Sequence, residues 1–136
     1  MNVLPSIHDH SLLEYRVELI HRQIAFITLP EATRTQPDVR PVHTVFEGRE
    51  GHHFDAVSTG VILSDIEEAP LSDFLASHQV EFEQGHKSVG APSWWRGSVA
   101  EALAYLTERG VRAFYINSSY GFSGWVLARE IKQFQA

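Results

Sequence analysis

The order of strand-like and helix-like periodicities limits the folds that this chain can adopt. In the segment LLEYRVELI, Tyr15, Val17 and Leu19 alternate with charged side chains, which is the period-two pattern of a half-buried strand. The segment IAFITL continues this pattern, so residues 12–29 are predicted to form a hairpin. A polar loop over residues 30–38 follows, and then PVHTVFEG, HHFDAV and GVILSDIEE are predicted to be three more short strands.

Two segments in the second half of the chain have helical spacing instead. The segment PLSDFLASHQVEFEQG is predicted to be one helix, with Pro70 in its first turn and Gly85 at its C-terminal cap. The segment SVAEALAYLTERG is predicted to be a second helix, because Ser98 and Glu101 form a capping box and Gly110 ends the pattern. The chain then returns to strand-forming residues in VRAFYINS and GWVLAREIKQF.

This arrangement of segments predicts an α+β fold with a largely antiparallel sheet. We expect about six or seven strands, with two helices packed on one face of the sheet. Regular alternation of strands and helices is missing from the sequence, which argues against a Rossmann-like fold. The length of 136 residues predicts a single domain over residues 1–136. The edges of an antiparallel sheet leave homodimerisation open.

The composition limits the classes of binding partner that the protein is expected to have. The net charge is −6, and the 11 basic residues are scattered singly, whereas nucleic acids and anionic membranes require a cationic face. We therefore expect neither of these partners, and a protein partner of basic character suits the acidic surface better. The chain has no cysteine, which excludes disulfides, thiolate nucleophiles and cysteine-based zinc sites. A cytoplasmic location is expected, because the N-terminus has no signal-peptide pattern and no apolar run spans a bilayer.

The N-terminal segment HDHSLLE has the spacing of a metal site on a strand. His8, His10 and Glu14 would share one face of an extended strand and could hold a metal ion there. This spacing resembles the core of the cupin metal motif, but the cupin glycine before the first histidine and the second histidine-bearing motif have no counterpart here. We therefore predict no cofactor and ordinary strand histidines. The alternative is a metal-dependent enzyme or metal-binding module, with His43 or His53 as a fourth ligand.

An acidic cluster and a tryptophan pair are the other candidates for function. Asp65 and Glu67 are expected to share a strand face, and Glu68 lies at the junction with a helix. These carboxylates can serve acid–base chemistry, stabilise the helix N-terminus by ~0.3–1 kcal/mol, or dock a basic partner. Trp94 and Trp95 lie in a loop, where aromatic side chains often anchor interfaces. One indole is expected to point inward and the other to be partly exposed.

No complete catalytic motif is found in the sequence. Ser123 lacks the second glycine of a nucleophile elbow, because Trp125 occupies that position. Glycine-rich loops of the kinds that bind phosphates are also absent from the sequence. The prediction is therefore a non-catalytic binding protein. An alternative is a small-molecule binder with an apolar pocket between the sheet and the helices.

Two segments add a resemblance to this prediction. VILSDIEEAPLSDFL and SSYGFSGWVLA, within residues 42–128, resemble segments of small uncharacterised bacterial proteins. Some proteins of this appearance are similar to immunity proteins, which neutralise secreted toxins. The resemblance implies an acidic, cytoplasmic, non-catalytic binder and brings no catalytic residues with it. The predicted partner-binding residues are Asp65, Glu67, Glu68, Trp94 and Trp95.

Overall fold

The computed structural model describes residues 5–55 and 60–135. Within these ranges it contains one antiparallel sheet of eight strands and three helices. The strands are β1 (His10–Glu18), β2 (Gln23–Leu29), β3 (Val42–Glu47), β4 (Gly51–Asp55), β5 (Ile62–Ala69), β6 (Arg112–Tyr120), β7 (Ser123–Ala128) and β8 (Glu130–Gln135). The helices are α1 (Leu71–Ser77), α2 (Gln79–Val89) and α3 (Val99–Glu108). No helix in the described ranges has the length and apolar character needed to cross a membrane.

The predicted α+β class and antiparallel sheet are confirmed, and the predicted numbers of elements are too low. The described residues form eight strands and three helices, where six or seven strands and two helices were expected. One extra strand arises because the segment GWVLAREIKQF is divided at Arg129 into β7 and β8. The extra helix arises because the helical segment after Pro70 is divided at His78, whose φ of −112° and ψ of 13° leave the helical region.

Two bent chain segments turn the sheet back on itself. The hydrogen-bonded order is β4-β7-β6-β5-β1-β2-β3-β8, so β4 and β8 are the outermost strands. However, β4 follows β3 in the chain after residues 48–50, and β8 follows β7 after Arg129. Backbone hydrogen bonds link the β3–β4 connection to the β7–β8 connection. The N–H of Glu50 donates to the carbonyl of Leu127, and the N–H of Arg129 donates to the carbonyl of Glu47. The sheet is therefore rolled up, with its two ends joined through the β3–β4 and β7–β8 segments.

Aromatic side chains fill the inside of the rolled sheet. The ring centroids of Phe26 and Phe54 are 5.5 Å apart, and those of Phe46 and Phe114 are 5.4 Å apart. In each pair the two strands are not neighbours in the sheet, so these rings meet across its interior. Ile24, Leu63, Ile116 and Val126 belong to the same buried cluster. This cluster is one of the two buried hydrophobic clusters of the described residues.

The helices cover the outer surface of the sheet at β6 and β7. Successive residues of a strand point to opposite faces, so Val126 contributes to the interior cluster and Trp125 to the helix side. Phe74 of α1, Phe82 of α2 and Leu106 of α3 pack with Trp125 in a second buried cluster. The helices therefore pack against the outer face of β7.

The predicted caps of the helices are partly confirmed. Ser98 accepts a hydrogen bond of 3.2 Å from the backbone N–H of Glu101, as expected for the N-cap of α3. The prediction that Gly85 caps a helix is wrong, because α2 continues to Val89 and Gly90, with φ of 70°, is its C-cap. Gly85 is required for a different reason. A Cβ added there would lie 2.6 Å from the carbonyl oxygen of Ala91, where the following loop passes over the helix.

Candidate functional site

A pocket of about 420 Å³ lies where β4, β7 and β6 meet the junction between α1 and α2. Its volume is within the range of pockets that bind ligands or single side chains. Carboxylates, imidazoles, a phenol and a carboxamide surround an aromatic floor. We call it the acidic pocket and define it by His53, Asp55, His78, Glu81, Tyr115, Asn117 and Trp125.

The floor of the acidic pocket is built on the β4–β7 pair. Trp125 of β7 is directly opposite His53 of β4, and their rings stack at an angle of 28° with centroids 6.3 Å apart. Two residues along β4 and on the same face, Asp55 is 2.9 Å from His53, measured between Oδ1 and Nε2. The strand pairing thus places an indole, an imidazole and a carboxylate on one surface.

The break between α1 and α2 supplies the opposite wall. His78 sits at this break, and its Nε2 is 3.0 Å from the hydroxyl of Tyr115 on β6. The Nδ1 atom of His78 is buried with no hydrogen-bond partner in the described residues, and it is 3.6 Å from Oε2 of Glu81. Burial raises the pKa of the Tyr115 phenol, and the carboxylates of Glu67 and Glu81 raise it further. Tyr115 is therefore neutral at neutral pH.

Two of the predicted acidic residues lie at the edge of the acidic pocket. The Nδ2 of Asn117 donates to Oδ1 of Asp65 at 2.7 Å and to Oε2 of Glu67 at 3.4 Å. These bonds confirm that Asp65 and Glu67 share one strand face. They also leave the carboxamide oxygen of Asn117 as the acceptor end of a residue that lines the pocket.

Glu68, the third predicted acidic residue, is ion-paired with Arg112 and does not line the acidic pocket. Arg112 donates to Glu68 through Nε at 3.0 Å and through Nη2 at 2.6 Å. This hydrogen bonding lowers the pKa of the Glu68 carboxyl. Since the charge of Glu68 is compensated by Arg112, it adds little to the negative potential at the acidic pocket.

Carboxylates dominate the formal charge of the acidic pocket, in which Asp55 and Glu81 also contact the imidazoles of His53 and His78. Asp55 and Glu81 line it, and Asp65 and Glu67 flank it through Asn117. None of the described lining residues is Lys or Arg. Carboxylates that surround a concave surface concentrate negative potential there and attract cations.

The tryptophan pair does not reach the surface. Trp94 and Trp95 are 2% and 1% exposed, so the expectation of one partly exposed indole is wrong. Both rings fill the space between the helices and the outer face of the sheet. The Nε1–H of Trp94 donates to the carbonyl of Glu50 at 3.2 Å, which satisfies its polar atom inside the core. We therefore do not retain the pair as a surface anchor for a partner.

The residues of the N-terminal metal hypothesis have separate partners. The Nδ1 of His8 is 3.2 Å from a backbone carbonyl of β5, and that of His10 is 2.8 Å from a threonine hydroxyl of β2. Glu14 binds Arg16. An irregularity in the β1–β2 register between Leu12 and Glu14 breaks the alternation on which the shared face depended. Across residues 5–55 and 60–135, no group of three or more His, Asp or Glu side chains is placed to hold a metal ion.

Most residues of the acidic pocket were not identified from the sequence. The sequence indicates His53 only as a metal ligand, and it gives no functional role to Asp55, His78, Glu81, Tyr115 or Asn117. A signal existed for the last two, because Tyr115 and Asn117 are two residues apart on one strand and therefore share a face. No comparable signal related them to His78 or Asp55, which come from other elements.

Comparisons with known proteins do not assign a family. No protein-family model matches the chain, and the searches of curated proteins and of solved structures gave no match.

Proposed function

We propose that the protein is a non-catalytic binding protein that recognises a basic protein partner through the acidic pocket. One observation carries this proposal: four carboxylates line or flank the pocket, and no described lining residue is Lys or Arg. A partner that brings a positive charge into the pocket would compensate this potential. Charge complementarity of this kind directs encounter and selects partners.

The accessibility of the carboxylates supports a role in association. The side chains of Asp55 and Glu81 are 65% and 70% exposed, so a partner can reach them without unfolding any part of the domain. The alternative of a small-molecule binder requires an apolar pocket. The polar walls of the acidic pocket favour a charged partner instead. The resemblance to immunity proteins points the same way, because it implies an acidic cytoplasmic protein that binds another protein.

The proposal is tested by selecting binders from a random peptide library displayed on phage, with the protein immobilised. Selected peptides should be enriched in Lys and Arg. Their affinity should fall in a variant with Asp55→Asn, Asp65→Asn, Glu67→Gln and Glu81→Gln. Exposed ion pairs contribute about 0.5 kcal/mol each, so the four substitutions together should weaken binding roughly 30-fold.

A matched control variant removes the same amount of charge elsewhere. Glu31→Gln, Asp38→Asn, Glu108→Gln and Glu130→Gln change four exposed carboxylates that lie outside the acidic pocket. Peptide affinity in this variant should stay within about threefold of the original, because screening limits the effect of distant surface charges. Equal weakening in both variants, or selected peptides with no basic enrichment, would refute the proposal.

A further inference from the structure

We propose that the acidic pocket is a guanidinium site, which takes one arginine side chain of the partner. This inference rests on the proposed function and deepens it by naming the group that the pocket accepts.

The hydrogen-bond acceptors come from three different elements around the pocket. Asp55 belongs to β4, Asn117 to β6 and Glu81 to α2. A guanidinium group has five N–H donors fixed in one plane and can donate to several acceptors at once, whereas the three donors of an ammonium cluster around a single point. Acceptors that are distributed around a cavity therefore suit arginine better than lysine.

Asn117 is held in a fixed orientation for this role. Its Nδ2 is bound to Asp65 and Glu67, so its carboxamide oxygen is the group left to accept a hydrogen bond from a ligand. The two carboxylates that hold it also add negative charge at the edge of the pocket. Charged donors such as guanidinium form shorter and stronger bonds to such groups than neutral donors do.

The floor of the acidic pocket suits a planar cation. The imidazole of His53, whose side chain is 54% exposed, stacks at 28° with the indole of Trp125, which is only 9% exposed. Tyr115 and His78 border them with rings inclined by 34° to each other. Guanidinium groups stack on aromatic faces, and the half-buried Tyr115 and the exposed His53 are the rings that a ligand can reach. A quaternary ammonium would also favour the rings, but it has no N–H to donate to Asp55, Glu81 or the Asn117 oxygen.

The test uses four small probes and NMR detection of the Trp125 indole N–H, assigned with Trp125→Phe. The probes are the N-acetyl amides of arginine, lysine and citrulline, together with tetramethylammonium. Arginine amide should give saturable shifts at Trp125 and at the side-chain amide of Asn117. Lysine amide should bind about tenfold more weakly, because it cannot donate in the same bidentate manner. Citrulline amide, which is planar and uncharged, and tetramethylammonium should give no saturable shift.

Variants of exposed residues locate the binding. Asp55→Asn and Glu81→Gln should each weaken arginine amide about two- to threefold, since each removes one exposed ion pair. Glu31→Gln is the control and should leave the affinity unchanged. Lysine amide binding as tightly as arginine amide, tetramethylammonium binding most tightly, or arginine shifts confined to other parts of the protein would each overturn the inference.

The outcome separates this inference from the proposed function. If basic peptides bind through the acidic pocket but arginine amide shows no preference over lysine amide, the guanidinium site is wrong and the proposed function stands. If the peptides show no dependence on the four carboxylates, the proposed function itself fails.

Discussion

Gly124 is the position where the packing of the β4–β7 pair is most easily tested. It lies on β7, directly opposite Phe54 of β4. A Cβ added at Gly124 would lie 2.6 Å from Cδ1 of Phe54 and closer still to the carbonyl oxygen of His53, below the 3.0 Å that real Cβ atoms keep. Because one of the clashing atoms belongs to the backbone, a side-chain rotation cannot relieve the contact. Gly124→Ala must therefore push the two strands apart.

The expected cost of Gly124→Ala is about 3 kcal/mol in the free energy of unfolding. Overpacking a filled site costs about 1–3 kcal/mol, and weakened ladder hydrogen bonds add to this. Urea unfolding followed by tryptophan fluorescence is the assay, because Trp94, Trp95 and Trp125 are all buried. With a denaturant slope of about 2 kcal/mol/M, the midpoint should fall by about 1.5 M.

Gly51→Ala is the matched control for Gly124→Ala, because Gly51 lies in the same β4–β7 ladder. A Cβ at Gly51 would be 3.5 Å from the indoles of Trp94 and Trp125, which is ordinary van der Waals contact. This substitution should change the free energy of unfolding by no more than about 1 kcal/mol, since alanine loses less backbone entropy than glycine on folding. Equal midpoints for the wild-type protein and Gly124→Ala would refute the close packing of the two strands.

Three further predictions concern a cap, an ion pair and a buried indole. Ser98→Ala should lower the free energy of unfolding by about 1 kcal/mol in thermal or urea unfolding, because α3 loses its side-chain cap. The pKa of Glu68 is held below its ordinary value of 4.5 by Arg112. Its ion pair with Arg112 therefore stabilises the fold at pH values above 4.5, and this stabilisation is lost as the pH falls through the lowered pKa. Glu68→Gln should therefore lose less stability on acidification than the wild-type protein does. The measurement is the urea midpoint of both proteins between neutral pH and pH ~3. Trp94→Phe should cost about 1–3 kcal/mol, because it leaves the partly buried carbonyl of Glu50 without its indole donor; an unchanged urea midpoint would contradict this.

The sequence predicted the elements of the fold better than their connections. Period-two alternation located the β1–β2 hairpin, and the capping position of Ser98 located the start of α3. The bend that divides β7 from β8 at Arg129 was not predicted, because the strand-forming segment GWVLAREIKQF predicts a single strand. A signal was present, since the polar pair Arg129–Glu130 interrupts the apolar pattern and the core-facing side chains change from Val126 and Ala128 to Ile131. The rolled sheet depends on that bend, which redirects one continuous segment from β6 and β4 toward β3.

The acidic pocket was harder to predict than the fold, because its residues meet only through long-range register. Asp65 was identified from its own segment, but its bond to Asn117 joins residues 52 positions apart. Glu81 and His78 reach the pocket because the helical segment breaks at His78, and the sequence pattern predicted a continuous helix there. The tryptophan prediction failed for a related reason, since a loop that crosses a sheet face is buried by contacts that its own sequence does not encode.

Different residues determine the shape and the charge of the acidic pocket, so the charge can be changed without disturbing the shape. Its floor belongs to the core, because Trp125 packs against Phe74 and Phe82 with ring centroids 5.1 and 5.7 Å apart. Its charge comes from exposed carboxylates such as Asp55 and Glu81, which bury little surface and contribute little to stability. Substituting these carboxylates should therefore change the free energy of unfolding, measured by urea unfolding, by no more than about 0.5 kcal/mol. A loss of peptide binding in such variants would then report on recognition, because the floor and the strand pairing beneath it would be unchanged.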